Sequence, residues 1–206
     1  MLPLALFLAV LFVVPWLLVP PPDAPADPDR EGRLWIWAGV VVLIIYTTLG
    51  PAQIINEWLR ERSMLLNTVT IGVGAFAAVA LAAWLRTKPG LQQVGFVLGA
   101  LAAAAMAVMR VDSIELRTHL FEYGVVAMLI YQAFSERWRG RYGLFAPAAA
   151  GFAVSVVVGA VDEAIQWFLP NRVFDPVDIG FNAVAAGMVI GIGLVITWMR
   201  RRKESD

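Results

Sequence analysis

The sequence has no cysteine, a single histidine and only 16% charged residues in a chain of 206. Without cysteine the chain has no disulfide, no thiolate metal site and no cysteine nucleophile. Sixteen basic and sixteen acidic residues give a formal net charge of zero. A balanced charge gives no reason to expect nucleic acid as a partner.

Apolar residues dominate instead. Hydrophobic residues make up 60% of the chain, and its mean hydropathy is +0.72. A globular domain in water needs far more polar cover than this composition supplies. Apolar segments of roughly 20 residues, the length that crosses a bilayer, occur about seven times. We therefore predict an all-α, polytopic transmembrane helical bundle of about seven spans.

The predicted spans are separated by short polar or proline-rich connections. In chain order they are residues 2–19, 34–53, 64–85, 91–109, 114–134, 144–167 and 176–199. We interpret the first as a retained span because no Lys or Arg precedes it, as one would in a signal peptide. We predict an irregular loop at 20–33, a connection or short surface helix at 56–63, and a tight turn at 88–90.

The distribution of basic residues predicts the orientation, since cytoplasmic loops carry the excess of Lys and Arg. With seven spans, eleven basic residues fall on the side of the C-terminus: Arg30, Arg33, Arg86, Lys88, Arg137, Arg139, Arg141, Arg200, Arg201, Arg202 and Lys203. Five fall on the other side: Arg60, Arg62, Arg110, Arg117 and Arg172. This excess predicts a cytoplasmic C-terminus.

Residues 160–182 hold an unusual density of polar groups between two apolar segments. Asp162, Glu163 and Gln166 lie at i,i+4 and i,i+3 spacing, so each acid shares a helix face with the amide. Asn171 and Arg172 follow Pro170, which indicates a turn.

A helix start follows that turn. Asp175 precedes Pro176, a pattern typical of an N-cap residue followed by proline at the first helical position. Asp178 and Asn182 then lie one turn apart on the same helix face. Polar side chains from both helices are therefore expected to meet at this end of the bundle.

A second polar group lies at the start of the fifth predicted span, in the sequence RTHLFEYG. His119, Glu122 and Tyr123 occupy positions i, i+3 and i+4, so one helix face presents an imidazole, a carboxylate and a phenol. On the predicted topology this face lies on the same, extracytoplasmic side as residues 160–182.

Together the two segments resemble the two signature segments of the VanZ-like family of bacterial integral membrane proteins. The resemblance covers residues 112–206 as a VanZ-like region of three spans and leaves 1–111 as an N-terminal region of four spans. It implies a multi-pass protein of the bacterial cytoplasmic membrane. It also implies lowered susceptibility to the glycopeptide antibiotic teicoplanin.

The candidate ligand-binding residues come from both segments. They are His119, Glu122, Tyr123, Asp162, Glu163, Gln166, Asn171, Arg172, Asp178 and Asn182. Because neighbouring helical residues point about 100° apart, we expect Glu163 with Gln166 to face the cavity and Asp162 to brace a partner such as Arg172. Purely structural roles stay open: a hydrogen-bonded helix-end histidine, and a plain bridge from Arg172 to Asp178 or Asp162.

Three functions fit these residues. The first is binding or handling of an envelope molecule, with membrane lipid, a lipid-linked precursor or a glycopeptide as partner. The second is a metal-assisted, membrane-embedded hydrolase or transferase, since a histidine and carboxylates can hold a divalent ion and activate water. The third is a small proton-coupled transporter. The sequence selects no cofactor or metal among them.

Overall fold

This computed structural model describes residues 28–110, 114–139, 141–169 and 174–205, and that part of the chain is helical throughout. Its six helices, numbered here in chain order, are α1 (Arg30–Glu61), α2 (Leu65–Leu85), α3 (Leu91–Met109), α4 (Ile114–Arg137), α5 (Phe145–Gln166) and α6 (Pro176–Ser205). The predicted all-α class is confirmed for these residues. The predicted first span, 2–19, lies outside them.

Four helical segments are long and apolar enough to cross a membrane. They are Arg30–Pro51, Leu65–Leu85, Phe145–Gln166 and Pro176–Arg202. In α3 the apolar stretch Leu91–Ala104 is shorter. These segments indicate a membrane protein, whereas the count of seven spans and the side of the C-terminus stay predictions.

Helix α1 departs from the predicted boundaries at both ends. It begins at Arg30, inside the predicted loop 20–33, and continues past the second predicted span to Glu61, within the predicted connection 56–63. Residues such as Leu59, Arg60 and Glu61 are good helix formers, so a polar segment can extend an apolar helix without a break. The Arg62 guanidinium lies 3.9 Å from the centre of the Trp58 ring where the helix ends.

Contacts divide the chain into two units. One unit includes residues 50–90. In it α2 ends at Leu85, before the predicted turn at 88–90. Lys88, in that turn, has a positive φ of 49°. The other includes 29–49 and 91–206, so it contains the first part of α1 and all of α3 to α6. Within this second unit α4, α5 and α6 pack against one another, and α3 contacts α6.

Small residues on α5 explain why these three helices approach closely. Ala148, Gly151, Ser155 and Gly159 recur every three or four residues on its buried face, and small residues of this kind let membrane helices pack backbone to backbone. A Cβ built on Gly151 would lie 2.9 Å from the Tyr131 Cα of α4. The same face continues into the acids at the end of α5.

Helix α4 is the most enclosed of the three. Tyr123, Val126, Ala127 and Leu129 are fully buried, on more than one side of the helix. Its first turns and its last turn carry polar residues. Among the described helices, α4 is therefore not one of the four that are long and apolar enough to be candidate membrane spans. Neighbouring helices cover α4, so its side chains need not match lipid.

The start of α6 confirms the predicted N-cap. The helix begins at Pro176, and the Val177 backbone N–H donates a 2.8 Å hydrogen bond to Oδ1 of Asp175. The capping carboxylate satisfies one of the amide groups that have no partner within the first turn. This cap fixes where α6 starts and therefore where Asp178 and Asn182 lie.

Candidate functional site

Three ionisable side chains meet where the first turns of α4 approach the end of α5. They are His119 from α4 and Asp162 and Glu163 from α5, and all three are buried. One ligand atom from each, a ring nitrogen or a carboxylate oxygen, lies within 4.8 Å of the other two. The two segments that sequence analysis selected therefore form one cluster.

The Gln166 side chain joins the two carboxylates. Its Nε2 donates to Glu163 Oε1 at 2.8 Å and to Asp162 Oδ2 at 3.2 Å. The expectation that Asp162 points away from the Glu163 cavity is therefore wrong. One oxygen of each acid instead lies within 4.8 Å of a ring nitrogen of His119 on α4.

The other oxygen of Glu163 connects α5 to the start of α6. Oε2 accepts a 3.2 Å hydrogen bond from the Asp175 backbone N–H. Asp175 and Asp178 also lie within electrostatic range of Glu163. Asp178, partly exposed in the first turn of α6, thus adds negative charge beside the cluster, as its sequence position suggests.

Asn182 lies one turn deeper than Asp178 and is 1% exposed. A Cβ built on Gly159 would lie 3.0 Å from the Asn182 Cβ and 3.2 Å from its Nδ2, so the missing side chain at Gly159 makes room for this amide. Among the described residues neither amide atom of Asn182 has a hydrogen-bond partner. Because Gly159 precedes Asp162 and Glu163 by one turn on the same face, the amide lies beneath the carboxylates.

Two tyrosines border Asp162. Tyr123 is fully buried one turn after His119, and its phenol interacts electrostatically with Asp162 and with Tyr46 of α1. The Tyr46 hydroxyl donates a 2.7 Å hydrogen bond to the Val158 carbonyl of α5, which brings α1 to the cluster.

Sequence analysis missed Tyr46 and Gly159. Tyr46 is a phenol inside an otherwise apolar span, a signal that could have selected it. Gly159 had no comparable signal, because glycine is frequent in this chain, with 17 in total. Only the packing of α6 shows why a side chain at this position is unfavourable.

The remaining predicted residues are less central or lie outside the described chain. Glu122 is partly exposed and interacts with Tyr123 from the adjacent position. Asn171 and Arg172 fall in 170–173, outside the described residues, so the predicted partnership of Arg172 with Asp162 or Asp178 stays a prediction.

The opposite end of the same unit shows what an ordinary ion-pair network looks like in this protein. Arg30 pairs with Glu136 and donates a 2.6 Å hydrogen bond to the Gln132 side chain. Glu31 pairs with Arg137 at 3.8 Å. Each acid there meets an arginine near a helix end, whereas the Asp162–Glu163 pair is joined by an amide and approached by an imidazole.

The chemistry available to this site follows from its donor set. Two carboxylates and an imidazole can bind a cation, accept protons or hold a hydrogen-bonding group of a ligand.

Comparison of the chain with protein-family models, curated proteins and solved structures finds no match.

Proposed function

We propose that α4, α5 and α6 form a binding unit that handles the polar group of a cell-envelope molecule at the extracytoplasmic face of a bacterial cytoplasmic membrane. This follows the resemblance of residues 112–206 to the VanZ-like family. The partners proposed are membrane lipid and a lipid-linked precursor or glycopeptide, and lowered teicoplanin susceptibility is the proposed consequence in cells.

One observation supports the proposal above the others: five buried polar side chains from three helices converge at one end of a bundle lined elsewhere by small and apolar residues. They are His119, Asp162, Glu163, Gln166 and Asn182. Polar groups inside a membrane bundle are costly, and they usually mark a site where a ligand, ion or proton is handled. A loop that needed only solubility would not bury them.

The depth of the site agrees with an envelope ligand. Asp162 to Gln166 occupy the last turns of α5, and the exposed Trp167 and Phe168 follow directly. Aromatic residues concentrate at the membrane–water interface. The site therefore lies close to a membrane interface, so a headgroup that binds there need not cross the hydrocarbon core, and the predicted orientation puts this interface outside the cell.

The test is a teicoplanin susceptibility assay in a susceptible bacterial host that expresses the wild-type chain, His119→Gln or Glu163→Gln. Glu31→Gln is the matched control, because it removes a carboxylate of α1 that pairs with Arg137 at the far end of α4. Membrane abundance of every variant is measured by blot. We expect wild type and Glu31→Gln to lower susceptibility, and both site variants to lose this effect at equal abundance.

Other results would separate the parts of the proposal. If wild type leaves susceptibility unchanged, the function implied by the family resemblance is wrong. If the site variants act as well as wild type, the buried cluster serves the structure and the ligand binds elsewhere.

A second function, a metal-assisted hydrolase or transferase, is favoured by the approach of His119 to the two carboxylates within 4.8 Å. Three protein ligands leave a coordination position for water or substrate, as in catalytic metal sites. Turnover of a lipid-linked envelope substrate by the purified protein, lost on chelation, would support this function over simple binding.

A further inference from the structure

We propose that His119, Asp162 and Glu163 bind a divalent first-row transition metal ion. The proposal goes beyond the envelope-handling function, because the ion can be held for structural, binding or catalytic purposes. It rests on the geometry of the three ligands, on the local charge, and on a buried amide beside them.

The geometry of the three side chains is close to that of a metal site. Ions such as Zn²⁺ lie about 2.0 to 2.2 Å from nitrogen and oxygen ligands, which sets ligand-to-ligand separations of about 3.4 Å in a tetrahedral site. The three ligand atoms here already lie within 4.8 Å of one another. To meet at one centre, each pair of ligand atoms needs to close by no more than about 1.4 Å.

The charge of the site also favours a cation. Two fully buried carboxylates at adjacent positions repel each other and are poorly solvated, and a cation bound between them would relieve both costs. Asp175 and Asp178 add negative charge near Glu163. A divalent ion would neutralise Asp162 and Glu163 together. The Gln166 amide would still donate hydrogen bonds to the two carboxylates.

The donor types indicate which ions fit. One imidazole nitrogen and two carboxylate oxygens suit Zn²⁺, Mn²⁺ or Fe²⁺, whereas Mg²⁺ and Ca²⁺ prefer oxygen ligands alone. The absence of cysteine from the whole chain removes the thiolate sites that otherwise compete for zinc.

Asn182 is the independent observation that points to a bound group. Its amide is 1% exposed and has no hydrogen-bond partner among the described residues, although buried polar groups are nearly always paired. It lies against Gly159, one turn beneath the carboxylates. A water or ligand oxygen held on the metal would give this amide a partner.

The single histidine allows a decisive experiment on the wild-type protein. The full chain, purified in detergent with a histidine-free tag and stripped with a chelator, is titrated with Mn²⁺ and followed by electron paramagnetic resonance. We expect about one tightly bound ion per chain. Electron spin-echo measurements should then show coupling to an imidazole nitrogen, which His119 alone can supply, and ¹⁵N-histidine labelling should change that coupling.

Variants test the carboxylates and the amide. We expect Glu163→Gln and Asp162→Asn to weaken Mn²⁺ binding by more than 10-fold, and Asn182→Ala to weaken it by about 10-fold as a residue outside the first coordination shell. Glu31→Gln should bind as wild type. Circular dichroism and size-exclusion chromatography confirm that each variant remains helical and monodisperse.

Absence of Mn²⁺, Co²⁺ and Zn²⁺ binding by the wild-type protein would overturn the proposal. Binding without imidazole coupling, or binding that persists in both carboxylate variants, would overturn it as well. The readout is separate from teicoplanin susceptibility: metal binding without protection of cells refutes the envelope function alone, and protection without metal binding refutes the metal site alone.

Discussion

At the scale of single residues, Gln166 is the side chain on which the site depends structurally. Its amide nitrogen contacts a carboxylate oxygen of both Asp162 and Glu163. An amide has two N–H donors, so one residue can satisfy both acids. A lysine at this position would reach them too, but it would occupy the place where a cation or a polar ligand can bind.

Replacing Gln166 with leucine should therefore destabilise the protein. The change removes two buried hydrogen bonds to acidic side chains at similar volume, for an expected loss of about 2 kcal/mol or more. Thermal unfolding in detergent, followed by fluorescence of the eight tryptophans, measures the loss. Gln92→Leu, at an exposed position of α3, is the matched control and should change stability little.

An unchanged transition for Gln166→Leu would mean that the two acids do not need this amide. In that case both acids must have other adequate partners. If a bound metal ion is one of them, the Gln166→Leu variant should unfold at a lower temperature after chelator treatment than with metal bound.

Spacing rules predicted most of the polar site. His119, Asp162, Glu163, Gln166 and Asn182 are polar residues at helical spacing inside apolar segments, and that mismatch is visible without a structure. Their convergence is not visible, because periodicity gives the face of each helix but not which faces meet. Side-chain rotation was the second unknown, which is why the predicted divergence of Asp162 from Glu163 was wrong.

At the scale of helices, α5 combines close packing with chemistry. Its buried face carries Ala148, Gly151, Ser155 and Gly159 before the acids. The small residues bring α4 and α6 near, and the close approach then places the acids near His119 and Gly159 against Asn182. Loss of packing anywhere along this face is therefore expected to displace the site at its end.

Gly151→Ala tests this dependence. The added Cβ would lie 2.9 Å from the Tyr131 Cα and 3.3 Å from its backbone nitrogen, so the helices must separate, at a cost of about 1 to 3 kcal/mol. Gly95→Ala in α3 is the control, since nothing lies within 4 Å of a Cβ there; alanine also favours helix. Thermal unfolding should show a lower midpoint for Gly151→Ala only, and equal midpoints would contradict the close approach of α4 and α5.

Helix positions were predictable from hydrophobic runs and turn residues. The predicted span 91–109 coincides with α3 (Leu91–Met109). The span 64–85 differs from α2 by one residue at its start, and 144–167 differs from α5 by one residue at each end. Prediction was poorest for α1, because charged helix formers after an apolar span resemble a connection. The enclosure of α4 by its neighbours also needs the structure, since composition alone does not tell a protein-facing helix from a lipid-facing one.

At the scale of the whole molecule, α5 has the dimensions of a membrane span. Its 22 residues extend about 33 Å at about 1.5 Å per residue, close to the ~30 Å of a hydrocarbon core. Tyr142 precedes it within a row of aromatic rings with Trp138 and Phe134. Trp167 follows it and packs edge-on with Phe174 at 5.6 Å. Aromatic groups at both ends fit two membrane interfaces.

The orientation of α5 is the last prediction, and the absence of cysteine makes it directly testable. Single cysteines replace Tyr142 before α5 or Phe168 after it, both exposed positions. Because Arg137, Arg139 and Arg141 precede α5, the positive-inside rule puts residue 142 in the cytoplasm and residue 168 outside. A membrane-impermeant thiol reagent should label Phe168→Cys in intact cells and Tyr142→Cys only after permeabilisation.

The cysteine-free wild type gives the background, and Arg201→Cys in the tail should behave like Tyr142→Cys. The reverse pattern would move the His119 cluster to the cytoplasmic face, where an extracellular glycopeptide cannot reach it, and labelling of both positions from one side would exclude α5 as a span.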